Sequence, residues 1–245
     1  TAVGHSALNA NTTGTQNTAV GAIAGDALTV GGANIAVGYA SLSSDTQGSK
    51  SIAIGTGALF AQNFTSATNA YNTAVGDSAG NAVTTGTINT LVGALAADAL
   101  TEGNRNVAVG LGSLGSDTKG SRNTAIGVSA LGTQNFTTAT DSYNTAVGFD
   151  AGLLVTTGTF NTLIGGLAGD GATTASYSTA LGYGSLGGAM TGEGNVALGV
   201  NTLLVATSAH SNTAVGTSAM SSATTGTNNV AVGRNALDAN TTASN

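Results

Sequence analysis

The chain has 245 residues, no Cys, no Pro, five basic against eleven acidic side chains, and a net charge of −6. Without Cys there is no disulfide framework, no thiolate chemistry and no Cys-based metal site. So few basic groups exclude the surface that nucleic acid needs, and no run approaches the roughly 20 apolar residues of a membrane span, so direct membrane insertion is not expected.

Taken in chain order, one five-residue motif returns throughout. A truncated copy at Thr1 to Gly4 is followed by Asn17-Thr-Ala-Val-Gly21, Asn34-Ile-Ala-Val-Gly38, Ser51-Ile-Ala-Ile-Gly55 and so on to Asn229-Val-Ala-Val-Gly233, fourteen copies in all. Successive glycines stand 17 residues apart, except for two steps of 21, from Gly55 to Gly76 and from Gly127 to Gly148. A fixed short period is the signature of a repeat architecture. A disordered chain of similar Gly-, Thr- and Asn-rich composition has no reason to keep Val and Gly in step.

Stacking the copies turns motif positions into columns. The second column is Thr, Ile or Val in every full copy, from Thr18 to Val230. The fourth is Val20, Val37, Ile54, Val75, Val92, Val109, Ile126, Val147, Ile164, Leu181, Leu198, Val215 and Val232. Stiff β-branched residues two apart favour one face of a pleated strand, so the motif is expected to be a very short strand with this fourth column as its core. The third column is Ala except at Leu91 and Leu163. It points the other way and, being small and apolar, is expected to meet another chain. The Gly that ends the motif implies a positive φ or a close backbone approach. The small residue three positions on, as at Ala7, Ala24 and Ser41, reads as the start of a second short strand, and a Thr-Thr-Gly turn closes the coil. The first column, Asn except at Ser51 and Ser178, suits a side-chain ladder from coil to coil. Two strands and two turns in 17 residues amount to one turn of a parallel β-solenoid, each coil about 4.8 Å above the last. The expectation is one all-β repeat domain over 1–245 of about fourteen coils, and an internal piece of a longer fibre.

Both longer steps carry nearly the same insert, at about 60–71 and 132–143: Gln62-Asn63-Phe64-Thr65 before Tyr71, and Gln134-Asn135-Phe136-Thr137 before Tyr143. They lie 72 residues apart, which defines a super-repeat over about 55–126 and 127–198. Extra residues at a coil corner loop outward, and loops on a rigid scaffold often bind ligands. Asn63, Phe64, Tyr71, Asn135, Phe136 and Tyr143 are therefore the candidate contact residues, against the alternative that the aromatics cover the coil or pack between chains.

Other motifs carry little chemistry. Gly110-Leu-Gly112-Ser-Leu-Gly115 and Gly182-Tyr-Gly184-Ser-Leu-Gly187 match a dinucleotide fingerprint, but they fall on the repeat glycine and open no βαβ unit. His5 and His210 sit at unrelated positions without partners at metal-ligand spacing, and the acids are scattered. Lys119 and Arg122, with Asp117 beside them, read as a solvated loop. Asn63-Phe-Thr65 and Asn135-Phe-Thr137 are formal glycosylation sequons that chance explains in so Asn- and Thr-rich a chain. Catalytic, metal and cofactor sites are not expected.

At the motif itself, Ser51-Ile-Ala-Ile-Gly55 and Asn106-Val-Ala-Val-Gly110 with Leu-Gly-Ser113, the chain resembles the head repeats of YadA-like trimeric autotransporter adhesins, and similar repeats occur in bacteriophage tail fibres. The resemblance covers the whole chain. It implies a left-handed parallel β-roll, a homotrimer, and an extracellular fibre on a bacterial surface or virion tail that attaches to a receptor, glycan or matrix component. This chain departs from the family in its longer repeat and in Thr where Val is usual. Two other roles fit a solenoid: an ice-binding surface, which needs outward Thr, or a purely mechanical stalk or self-assembling filament.

Overall fold

A computed structural model describes residues 1–244. The chain is an all-β parallel β-solenoid of about fourteen turns, with no helix among the described residues. It forms two compact units, one of Thr1–Arg122 with Phe136–Asp141, the other of Asn123–Asn135 with the chain from Ser142 on.

In the first unit, β1 (Ala2–Val3), β2 (Thr18–Val20), β3 (Ile35–Val37), β5 (Ile52–Ile54), β7 (Thr73–Val75), β8 (Thr90–Val92) and β9 (Val107–Val109) form a parallel ladder in that order. Two-residue strands also pair at the insert corners, β4 (Gly48–Ser49) with β6 (Thr68–Asn69) and β10 (Gly120–Ser121) with β12 (Thr140–Asp141). The second unit repeats the main ladder with β11 (Thr124–Ile126), β13 (Thr145–Val147), β14 (Thr162–Ile164), β15 (Thr179–Leu181), β16 (Val196–Leu198), β17 (Thr213–Val215) and β18 (Val230–Val232). Columns pair in register, as Thr18↔Ile35, Ala19↔Ala36 and Val20↔Val37 do. The extra residues of the inserts leave this register untouched: Ile52 pairs with Thr73 and Thr124 with Thr145.

The strand faces the opposite way from the sequence-based expectation. The Ala column is the core: every member from Ala19 to Ala214 is at most 1% exposed, Leu91 and Leu163 included. The β-branched column assigned to the core is outside it. Val20, Ile54, Ile126, Ile164, Leu181 and Val232 are exposed, from 37% at Ile126 to 71% at Val232. Val37, Val75, Val92, Val109, Val147, Leu198 and Val215 are half-buried. Width decides the matter. A coil of 17 residues brings its walls close together, and the interior already holds Leu42, Leu59, Leu114 and Leu131 from the opposite wall. What fits between them is a methyl group.

The stretch after each repeat glycine is not a second strand. It is a run of turns in which the second and fourth residues after the Gly are left-handed, as at Ser6 (φ 57) and Leu8 (φ 52). Local and inter-coil bonds alternate along it. Ala7 N donates to Gly4 O at 3.4 Å, Leu8 N to Ala24 O at 3.1 Å, Asn9 N to Ser6 O at 3.3 Å and Ala10 N to Asp26 O at 2.9 Å. Alternating left-handed residues curl the backbone so that the Leu side chains turn inward while half of the N–H groups still reach the next coil.

The repeat glycine meets both conditions set for it. Gly76 has φ +144, and a Cβ there would stand 2.4 Å from Gly93 O of the next coil. The Asn ladder also forms. Asn34 is buried, its Nδ2 donates to Gly48 O at 2.9 Å, and its Oδ1 accepts the Ser51 N–H at 2.9 Å. At the closing turn, Thr12 Oγ1 donates to Thr29 O at 3.1 Å and Thr29 Oγ1 to Thr46 O at 2.9 Å.

Candidate functional site

The six candidate residues of the inserts divide between core and surface. Phe64 and Phe136 are only 6% and 7% exposed, so both rings pack into the coil instead of standing on the surface. Each is tied down by a buried carboxylate one coil earlier: Phe64 N donates to Asp45 Oδ1 at 3.1 Å and Phe136 N to Asp117 Oδ1 at 3.1 Å. Asp45 Oδ1 also accepts Gly48 N at 2.9 Å, its Oδ2 accepts Gln62 Nε2 at 2.6 Å, and Gln62 Oε1 accepts Asn72 Nδ2 at 2.8 Å. Several donors thus compensate for burying the charge. Ring and carboxylate anchor the insert.

Asn63 and Asn135 are exposed at the corner. Asn63 Oδ1 accepts Thr46 Oγ1 at 3.1 Å. Tyr71 and Tyr143 are 51% and 45% exposed, and both occupy the position just before the motif Asn. That position is left-handed in every coil that describes it, as at Lys50 (φ 64), Tyr71 (φ 52) and Tyr177 (φ 57), and its side chains form an outward edge column.

On this edge the aromatics acquire neighbours. In the first unit Lys50 Nζ lies 5.1 Å from the Tyr71 ring centroid and donates to its hydroxyl at 3.1 Å. In the second unit Tyr143, Phe160 and Tyr177 stack on successive coils, with centroids 5.4 and 5.1 Å apart and ring planes 14° and 3° from parallel. The coil rise itself imposes this spacing, which matches that of stacked aromatic pairs. Phe160 and Tyr177 lie outside the inserts and were missed in the sequence, although aromatics at 143, 160 and 177 keep the 17-residue period.

Two of the five basic residues, Lys119 and Arg122, are ion-paired. Lys119 Nζ lies 2.9 Å from Glu102 Oε1 and Arg122 Nε 3.0 Å from Asp141 Oδ2, with all four side chains at least partly in solvent, where such pairs add little. Asp117 does not join this loop: it is buried, bound to the Gly120 and Phe136 N–H groups. Burial raises the carboxyl pKa of Asp98 and Asp170 above the ordinary value, and the charge of Asp150 adds to the effect at Asp170. Among the described residues no three His, Asp or Glu side chains gather at metal-binding distance, and Gly110, Gly112 and Gly115 lie at a strand end and in turns. What the surface offers is an outward β-branched face in each unit and one aromatic edge. No family model, curated protein or solved structure matches this chain.

Proposed function

We propose that the chain is a non-enzymatic segment of an extracellular fibre, assembled as a homotrimer of left-handed coils and bearing a surface for attachment to a receptor, glycan or matrix component. Its setting is a bacterial surface or a virion tail. The observation that carries the reading is the outward column of Val, Ile and Leu, with Val20, Ile54 and Ile126 between 37% and 38% exposed in a single chain. An apolar stripe on the regular sheet of each unit is an interaction surface or an aggregation hazard. A thin coil with an Ala-lined core has much to gain from sharing that stripe with other copies. The Val column, and not the Ala column, supports assembly, since the Ala column lies within the coil. The resemblance of the repeats supplies the number of chains and the hand.

The test is the mass in solution by light scattering after size exclusion. Three chains of 23.3 kDa each are expected, and a stable single-chain mass would remove the reading.

A second reading, an ice-binding surface, gains from one observation. Thr18, Thr73, Thr145 and Thr213 stand on the same outward face as the Val column, half-buried and in register. Ice shaping with thermal hysteresis by a single-chain species would favour it; its absence, with a trimeric mass, would leave the fibre.

A further inference from the structure

The aromatic ladder of the second unit stops at Tyr177. Tyr143, Phe160 and Tyr177 are followed at the same position of the next coil by Gly194, then by Ser211. The backbone keeps its course there: Gly194 N donates to Ser176 O at 3.0 Å and Ser211 N to Glu193 O at 3.0 Å. Gly194 has φ +70, close to the φ 57 of Tyr177 and the φ 59 of Phe160, so this column carries full side chains at that conformation. A Cβ on Gly194 would meet only Ser211 Oγ, at 3.7 Å. The missing side chain therefore leaves one face of Tyr177 uncovered, and Tyr177 is 60% exposed against 45% for Phe160. The opening is one coil high, about 4.8 Å by the strand spacing, which is the room one more stacked ring takes.

The rim is polar. Glu193 and His210 are exposed and occupy the column beside the gap. Glu193 N donates to His210 Nδ1 at 3.1 Å, so Nδ1 is the acceptor and the neutral ring carries its proton on Nε2, a donor to solvent. Ser211 adds a hydroxyl above.

We propose that this notch binds a pyranose ring of a glycan. Its C–H face stacks on Tyr177, and its hydroxyls donate to the Glu193 carboxylate and accept from His210 Nε2–H and the Ser211 hydroxyl. A ring with an apolar C–H face and a hydroxyl rim suits an open aromatic face with exposed polar neighbours. A nucleobase fits less well, because the rim holds a carboxylate and no Lys or Arg to meet phosphate. An aromatic side chain of another protein would desolvate Glu193 and Ser211 without giving them partners. The proposal rests on reading the chain as an attachment surface and names the ligand class that surface takes.

Saturation-transfer NMR with methyl β-galactoside, methyl β-glucoside and methyl α-mannoside tests it. Tyr177→Ala removes the floor; Ala33 holds the same column position at φ 57, so the backbone accepts Ala there. Gly194→Tyr extends the ladder and fills the notch. At least one glycoside is expected to receive saturation on its ring protons from the native chain. That transfer should fall at least tenfold in both variants and persist in Tyr39→Ala, which alters an exposed Tyr in another column. No transfer from any glycoside, or transfer that survives either variant, overturns the proposal. The fibre reading fails separately, through the mass: a single-chain species that still passes saturation to a glycoside loses the trimer and keeps the notch.

Discussion

Leu91 occupies the space a side chain on Gly80 would need: a Cβ on Gly80 would stand 2.6 Å from Leu91 Cδ1. The same trade recurs at the other Leu of the Ala column, where Cβ atoms on Gly152 and Gly169 would lie 2.8 and 2.6 Å from Leu163 side-chain atoms. In several other coils the strand gives Ala and the turn gives Leu, as with Ala53 and Leu59 or Ala125 and Leu131, all fully buried. The interior of a coil thus has a fixed volume that either wall can fill.

The exchange is testable as a double-mutant cycle. Leu91→Ala alone is expected to cost about 2–5 kcal/mol through the cavity it leaves. Gly80→Leu alone is expected to cost about 1–3 kcal/mol or more through overpacking. The pair together recreates the common arrangement, and Leu59 holds the equivalent turn position at φ 49, so urea denaturation should show the double variant less destabilised than the sum of the two. Strict additivity would refute a shared volume.

How far the sequence was legible follows from the same columns. The period, the stacking register, the glycine and the Asn ladder could be read because each repeats one residue type at one position. The facing of the strand could not. Both of its faces are apolar, so hydropathy favours the larger Val as core, and only the narrowness of the coil, visible in pairs such as Leu91 and Gly80, reverses that order. The inserts misled for a related reason. Phe64 and Phe136 resemble surface aromatics in a loop, and the carboxylates that hold them, Asp45 and Asp117, are a whole coil away in sequence. Tyr177 was overlooked because it lies in an ordinary coil, where only its distance from Tyr143 and Phe160 sets it apart.

Asn34 carries a second prediction. Asn34→Ala leaves the Ser51 N–H and the Gly48 carbonyl without the partners they have now, at about 1–3 kcal/mol for each buried group left unmatched. Asn34→Ser should be milder, since Ser178 already serves as a rung, with Asn195 N donating to its Oγ at 3.4 Å. Thermal unfolding of the three proteins should rank native, Ser, Ala. An Ala variant as stable as the native chain would mean that the ladder is incidental.

Asp98 and Asp170 give stability a pH dependence of defined sign. Burial raises both carboxyl pKa values above 3.8. Between 3.8 and the raised value the folded chain holds a proton that the unfolded chain has lost. Their contribution to stability is therefore present in full below 3.8 and is lost as the pH rises through the raised values. Both side chains keep contact with water, so the effect is small. Asp98→Asn with Asp170→Asn should raise Tm slightly at pH 7 and flatten its change between pH 4 and pH 7. A Tm difference that is the same at both pH values would assign the effect to something other than titration.

Two adjacent residues of β7 separate the facing of the strand from the proposed homotrimer. Ala74 is fully buried, and Glu there would place a carboxylate with no donor inside the coil, so Ala74→Glu is expected to abolish folding as read by circular dichroism. Val75 stands on the outer face, in register between Ile54 and Val92. Val75→Glu should leave the β signal intact while lowering the mass from three chains to one, because like charges then meet where the apolar stripes join. A Val75→Glu protein that folds and keeps a trimeric mass would put the contact between chains on some other face. One that unfolds as a single chain would return the Val column to the core.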